Sequence, residues 1–153
     1  MDAARADRLT GDRLTEELRA AGLRATRPRL AVLGFLREHR GRHHSAEEVT
    51  ASLAATGGAL LRGSVYNVLG SLASAGLVLV ADTGPGRALY EAPDGWHHHF
   101  VCRVCGRVVD VPCIVGAKPC LDAGLAGAEV DEAQIIFRGR CPACTSTANR
   151  ASA

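Results

Sequence analysis

Hydrophobic residues recur with the period of an α-helix in four segments of the first half of the chain. The pattern predicts an amphipathic helix over residues 12–22 and a largely buried helix that begins after Thr26. A capping box of Ser45 and Glu48 predicts the start of a third helix, and Ser64 is expected to open a fourth. The first half of the chain is therefore expected to form a small bundle of helices.

The fourth helix has two different faces, and a hairpin is predicted to follow it. One face is a hydrophobic stripe, whereas the opposite face, around Tyr66 and Asn67, is small, polar and almost uncharged. Two β-prone runs, 77–80 and 87–90, flank a turn rich in Gly and Pro. Helices followed by a hairpin predict a winged helix-turn-helix whose polar helix face lies in the major groove of DNA. The alternative is an all-helical packing unit with solvated arginines.

Composition and charge are those of a folded protein with a basic first half. The chain has 153 residues, of which 47% are hydrophobic and 22% charged, and this composition excludes disorder of the whole chain. The net charge is only +2, but residues 1–90 carry twelve arginines against nine acidic residues. The sequence has no apolar run long enough to cross a bilayer and no hydrophobic leader segment. We therefore expect a cytoplasmic protein without a membrane partner.

Four of the six cysteines form two CxxC pairs, Cys102 with Cys105 and Cys141 with Cys144. Two such pairs supply the four thiolates of a structural zinc site. Disulfides or a redox pair are the alternatives, and a cytosolic setting with two matched pairs disfavours both. The 35 residues between the pairs have room for a strand over 107–111, a helix over 117–126 and a strand over 133–138.

The other two cysteines, Cys113 and Cys120, do not form a CxxC pair. The simpler interpretation is two inert thiols. The alternative is a redox switch in which the nearby Lys118 favours the thiolate.

The histidines predict a second metal site of different chemistry. In an extended segment, His97 and His99 point to the same face. Glu91 and Asp110 lie near this pair in the sequence, and His43 lies before the third helix, from where it could reach the same ion. Three imidazoles and two carboxylates form a donor set without sulfur, which suits Fe²⁺ or Mn²⁺.

Taken in order, these motifs resemble the ferric uptake regulator (Fur) family over about residues 13–144. The matching segments are 23–29, 43–49, 64–69, 75–78, 97–106, 108–110 and 141–144. The resemblance implies an α+β protein: a winged-helix DNA-binding domain over 1–92, then a small α/β dimerisation domain over 93–153 with a four-cysteine zinc site. Residues 1–11 and 145–153 are expected to be flexible.

The resemblance also implies a homodimeric, metal-dependent repressor that binds a palindromic operator in double-stranded DNA and is not an enzyme. Structural Zn²⁺ would be held by Cys102, Cys105, Cys141 and Cys144, and regulatory Fe²⁺ or Mn²⁺ by His43, Glu91, His97, His99 and Asp110. The expected DNA contacts are Arg24, Arg29, Arg62, Ser64, Tyr66, Asn67 and Arg87.

Individual positions favour one branch of the family. Glu91 stands where zinc-sensing relatives have Cys, and Gly95 where nickel-sensing relatives have His. Asp110 is the shorter carboxylate typical of peroxide-sensing, PerR-like members, and Asn67 also resembles that branch. The resemblance therefore predicts a repressor that peroxide inactivates through Fe²⁺-catalysed oxidation of a ligating histidine, which derepresses catalase or other peroxide-defence genes.

Three alternatives to peroxide sensing stay open. The first is an iron- or manganese-responsive uptake regulator of the same family. The second is a thiol-based redox regulator that uses Cys113 and Cys120. The third is a non-haem iron enzyme with His97, His99 and Glu91 as ligands. The enzyme is disfavoured because five ligands would leave little room for a substrate, and because no independent acid, base or cofactor motif is present.

Overall fold

The computed structural model describes residues 3–84, 88–93, 95, 97–115, 127 and 135–150. The chain divides into two compact units, Met1–Asp94 and Gly95–Ala153. Among the described residues, the first unit contains four helices and a two-stranded hairpin, and the second a three-stranded sheet and one helix. No helix in the described part of the chain is long and apolar enough to cross a membrane.

The predicted helices of the first unit are present, although the first is longer than expected. The four helices are α1 (Ala3–Ala20), α2 (Arg27–Glu38), α3 (Ala46–Ala55) and α4 (Arg62–Ser74). The prediction that α1 begins at residue 12 is wrong, since the helix continues through most of a segment expected to be flexible. This segment lacks a hydrophobic stripe, but it is rich in Ala and Arg, which are strong helix formers.

The predicted capping box at the start of α3 is confirmed. The Glu48 backbone N–H donates to Ser45 Oγ at 3.1 Å, and the Ser45 backbone N–H donates to Glu48 Oε2 at 2.8 Å. The two bonds satisfy backbone donors that a helix start leaves unpaired. They also fix the first turn of α3, in which Glu47 faces solvent.

The hydrophobic stripe of α4 is buried as predicted, and both ends of the helix differ slightly from the prediction. The stripe consists of Val65, Val68, Leu69 and Leu72. The helix begins at Arg62 and not at Ser64, because the Leu61 carbonyl accepts from the N–H groups of Ser64 and Val65. At the other end Gly76 has φ of 70°, and the Leu77 N–H donates back to the Leu72 carbonyl. Leu77 therefore belongs to the helix cap, and the following strand starts later than the run 77–80 suggested.

The hairpin is formed by β1 (Leu79–Asp82) and β2 (Ala88–Glu91), which pair antiparallel. Residues 85–87, which comprise the end of the predicted turn and the first residue of the second β-prone run, lie outside the described residues. A backbone bridge joins β2 to the segment before α3: His44 and Tyr90 exchange hydrogen bonds of 2.9 and 2.8 Å. The bridge brings His43 and Glu91, the neighbours of the bridged pair, to the same place in the first unit.

The second unit is a sheet of β3 (His97–Cys102), β4 (Val108–Pro112) and β5 (Ile136–Gly139) in the order β4-β3-β5. Strand β3 pairs antiparallel with β4 and parallel with β5. The extended histidine segment and the strand at 107–111 are thus confirmed within one residue, and β5 overlaps the predicted strand at 133–138. The predicted helix at 117–126 lies outside the described residues.

Helix α5 (Pro142–Arg150) was not predicted, and most of it falls where flexibility was expected. Its sequence is rich in Thr, Ser and Ala and has no hydrophobic stripe that would mark a helix.

The two faces of the second unit's sheet carry different chemistry. His99 pairs with Asp110, so these side chains share one face with His97. Phe100 is opposite both Val109 and Phe137, so a row of three apolar side chains crosses the other face. Phe137 and Val109 are 48% and 43% exposed. One face therefore presents imidazole and carboxylate groups, and the other a partly exposed hydrophobic surface.

Candidate metal centres and nucleic-acid interface

The two CxxC pairs come together in the second unit. The sulfur atoms of Cys102, Cys105, Cys141 and Cys144 all lie within 4.8 Å of one another. The Cys105 and Cys141 sulfurs are 3.8 Å apart. Four thiolates about 2.3 Å from a tetrahedral zinc ion lie about 3.8 Å from one another, so the observed spacing fits zinc.

Backbone hydrogen bonds hold each cysteine pair in position. Cys102 is the last residue of β3, and the following turn closes when Gly106, with φ of 71°, donates to the Cys102 carbonyl. Cys141 precedes α5, so Cys144 follows within the first helical turn. The Cys141 N–H donates to the Cys102 sulfur at 3.3 Å and links the two pairs. The start of α5 therefore places Cys144 beside Cys141 in the cluster.

Two thiols of this cluster have pKa values that are shifted in opposite directions. Hydrogen bonds from the backbone N–H groups of Cys105 and Cys141 lower the pKa of Cys102 to about 6. The hydrogen bond between the Cys144 thiol and the Cys141 sulfur raises the pKa of Cys144 to about 12. A thiophilic divalent ion replaces such shared protons, which is a second reason why the cluster suits zinc.

The first unit contains a histidine and a carboxylate in contact. His43 Nε2 lies 3.3 Å from Glu91 Oε2, and the two side chains are 9% and 1% exposed. Glu91 is the last residue of β2, and the His44–Tyr90 bridge holds it beside His43. Buried carboxylates are stable only when they are paired or bound to a cation, so this pair is a candidate for metal binding.

The second unit contains two histidines and a carboxylate on one sheet face. The ligand atoms of His97, His99 and Asp110 lie within 4.8 Å of one another, and His97 Nε2 is 3.8 Å from Asp110 Oδ1. These are imidazole nitrogens and a carboxylate oxygen, which suit Fe²⁺ or Mn²⁺. Three ligands do not fill the coordination sphere of such an ion.

The neighbouring histidines pack against aromatic rings and lie outside these two groups. His98 is on the other face of β3, with its ring centroid 6.4 Å from that of Phe137. The His44 ring is 4.9 Å from that of Phe35. Alternation along a strand thus separates His98 from its two neighbours.

The expected DNA-binding residues of the first unit differ in solvent exposure. Arg24, Arg62, Tyr66 and Asn67 are exposed, whereas Ser64 and Arg29 are partly buried. Arg29 donates to the Arg24 carbonyl at 3.0 Å and to Ser71 Oγ at 3.4 Å, so it ties the start of α2 to α4. Arg87 lies outside the described residues. The side chains of α4 remain the candidates for contact with bases.

A family model described as the ferric uptake regulator family matches residues 20–114. The chain belongs to the ferric uptake regulator family. This match confirms the resemblance, and with it the α+β fold. The family comprises metal-responsive transcriptional regulators that bind DNA.

Relatives from several bacteria agree with this assignment. The transcriptional regulator FurA of Mycobacterium tuberculosis is 42% identical over 132 residues, which cover 85% of this chain and 88% of FurA. The ferric uptake regulation protein of Legionella pneumophila is 35% identical over 85% of this chain and 97% of its own length. The structure of the ferric uptake regulator from Pseudomonas aeruginosa with manganese has a TM-score of 0.67 and 31% identity, covering 84% of this chain and 98% of that one.

The redox prediction for Cys113 and Cys120 stays a prediction. Cys113 lies just after β4 and is partly buried. Cys120 lies outside the described residues.

Sequence reasoning missed Glu47, whose carboxylate contacts two side chains of α4. Tyr66 and Arg62 both donate to its Oε1 atom. These residues are 19 and 15 positions from Glu47 in the chain, a separation at which no local pattern signals a contact.

Proposed function

We propose that this Fur-family protein is an iron-responsive transcriptional repressor, that Mn²⁺ can replace Fe²⁺, and that it acts as a homodimer. The observation that carries this proposal is the presence of two chemically different donor groups. One contains only sulfur, and the other only nitrogen and oxygen. The names of the relatives support iron regulation more directly than peroxide sensing.

In this proposal the four cysteines hold a structural zinc ion. Bound Zn²⁺ supplies a cross-link between the turn after β3 and the start of α5. Cys102 and Cys105 anchor one side, and Cys141 and Cys144 the other. The zinc site stabilises the second unit and takes no part in sensing.

The nitrogen and oxygen donors form the regulatory site. Fe²⁺ or Mn²⁺ would be held by His43 and Glu91 of the first unit and by His97, His99 and Asp110 of the second, and would supply a cross-link between the units. Five such ligands suit a six-coordinate ion, whereas neither group alone does. Linking the DNA-binding unit to the dimerisation unit selects the arrangement that fits two operator half-sites. The metal therefore acts as a co-repressor.

On DNA, α4 is the recognition helix of the winged-helix unit. Tyr66, Asn67 and Ser64 are placed to read base edges, and Arg24 and Arg62 to bind phosphates. Two such units related by a two-fold axis bind a palindromic operator.

The hydrophobic face of the second unit's sheet is proposed as the dimer interface. We expect the double substitution Val109→Lys with Phe137→Lys to convert the dimer to a monomer, because two ammonium groups would be buried against a second copy. Molar mass from light scattering at micromolar concentration measures this change. Ile114→Lys is the matched control, since Ile114 is fully exposed and lies outside the sheet. A double variant that stays dimeric would place the interface elsewhere.

Selection from a random duplex library tests the proposed function. The zinc-loaded dimer is mixed with the library under anaerobic conditions, with Fe²⁺, with Mn²⁺ or with a chelator too weak to remove zinc. We expect a palindromic sequence to be enriched with either metal and not with the chelator. Equal enrichment in the absence of added metal would show that these ions do not regulate DNA binding.

Peroxide sensing is a second candidate function, and Asp110 favours it because its short carboxylate resembles that of peroxide-sensing members. The test is a brief peroxide pulse on the Fe²⁺-loaded dimer, followed by peptide mass spectrometry and an operator-binding assay. An added oxygen on the peptide that contains His43 or His97, together with loss of DNA binding, would support peroxide sensing. DNA binding with unmodified histidines would support the iron-responsive regulator. Modification of Cys113 and Cys120 alone, with loss of binding, would support a thiol switch.

A further inference from the structure

Glu47 makes a closed set of contacts with the exposed face of α4. The Tyr66 hydroxyl donates to Glu47 Oε1 at 2.6 Å, and Arg62 Nη2 donates to the same oxygen. The Arg62 guanidinium lies 5.5 Å from the centroid of the Tyr66 ring. The three side chains therefore contact one another on the surface that is proposed to bind DNA.

The local structure directs Glu47, and not its acidic neighbours, toward α4. Glu48 accepts the Ser45 N–H in the capping box, and Asp82 accepts the Gly84 N–H in the hairpin turn. Arg62 and Tyr66 lie four positions apart, which places them on the same side of α4. One carboxylate can therefore accept from both residues at once.

We propose that Glu47 is an internal competitor for DNA: its carboxylate occupies Arg62 and Tyr66 in the free protein and must be displaced before Arg62 can bind a DNA phosphate and Tyr66 a base edge. This inference rests on the proposed function, because it requires α4 to bind DNA. Carboxylate and phosphate oxygens are equivalent partners for a guanidinium group. When DNA binds, Arg62 exchanges the Glu47 carboxylate for a DNA phosphate. The net gain in binding free energy from Arg62 is therefore smaller than its charge suggests.

The contact of Glu47 with Arg62 and Tyr66 lowers the affinity of the regulator for DNA. Binding to non-specific DNA depends almost wholly on phosphate contacts, so the displaced carboxylate opposes it directly. The operator adds contacts of Asn67 and Ser64 with base edges, which do not depend on the displacement of Glu47. The internal contact thus weakens the attachment of the repressor to DNA that lacks an operator.

The test is the affinity of the Mn²⁺-loaded dimer for the selected operator and for an unrelated duplex. Glu47→Gln keeps the shape of the side chain and removes its charge. Exposed ion pairs are weak, so we expect an affinity increase of about threefold to fivefold per protomer, or about nine- to twenty-fivefold for a dimer on its operator. The unrelated duplex should also bind more tightly. Glu16→Gln changes the net charge equally at an exposed site on α1, and should alter the affinity less than about twofold.

A double-mutant cycle separates internal competition from simple repulsion between Glu47 and DNA. In a background of Arg62→Ala and Tyr66→Phe, internal competition predicts that Glu47→Gln no longer increases the affinity. An increase that persists in this background would show that the charge of Glu47 acts directly on DNA, and would overturn the proposal. Weaker binding by Glu47→Gln alone would also overturn it, because Glu47 would then position Arg62 and Tyr66 for DNA.

The wild-type protein distinguishes failure of this inference from failure of the proposed function. Metal-dependent operator binding by the wild type, without a gain in Glu47→Gln, refutes only the internal competition. Absence of operator binding by the wild type refutes the proposed function and the inference together.

Discussion

Replacing either His43 or Asp110 with Ala should abolish metal-dependent DNA binding and leave one zinc ion per chain. Each change removes a proposed ligand of the regulatory ion but alters no cysteine, so we expect loss of the regulatory site and an intact zinc cluster. Substitution of a residue that only orients a metal ligand typically lowers the metal affinity by about 10- to 100-fold. Loss of a ligand should therefore raise the Mn²⁺ concentration needed for half-maximal operator binding by at least about a hundredfold.

Metal analysis and operator binding on the same samples check this prediction. Glu38→Ala is the control, because Glu38 is an exposed carboxylate in the first unit that lies outside both donor groups. It should bind Mn²⁺ and operator as the wild type does. Zinc loss in His43→Ala and Asp110→Ala would refute the separation into two sites. Normal binding by either variant would remove that residue from the regulatory site.

Replacing Cys141 with Ser should remove zinc and unfold the second unit. Structural zinc contributes about 10–16 kcal/mol to folding in small zinc domains, which is as large as the whole stability of an ordinary domain. The three short strands and α5 meet at this cluster. Loss of one thiolate should therefore also dissociate the dimer. Zinc content, circular dichroism and molar mass are the measurements.

Cys113→Ser is the matched control for the zinc prediction, because Cys113 belongs to the same unit and is not a member of the cluster. It should keep one zinc ion and remain dimeric. A Cys141→Ser protein that still holds one zinc ion per chain would mean that Cys141 is not an essential ligand.

Local signals in the sequence were enough to predict the elements that carry the sites. The Ser45–Glu48 capping box and the buried stripe of α4 depend on residues within one or two helical turns. The extended histidine segment follows from β-strand alternation, which places His97 and His99 on one face. The CxxC spacing likewise predicted a zinc cluster without knowledge of the fold.

Contacts between distant segments could not be predicted in this way. The bridge of His44 to Tyr90, which brings His43 to Glu91, joins positions 46 residues apart. Glu47 meets α4 only after α3 and α4 have packed together. Helix α5 has no hydrophobic periodicity in its sequence, and its first turn lies at the cysteine cluster, which joins segments 39 residues apart.

In the proposed regulator, one metal ion takes ligands from both units. Anomalous diffraction at the manganese edge, from crystals of the Mn²⁺-loaded dimer bound to operator, tests it most directly. We predict one manganese ion per chain, bound by His43 and Glu91 of the first unit and by His97, His99 and Asp110 of the second. Manganese bound by residues of one unit alone, or by the cysteines, would contradict the claim.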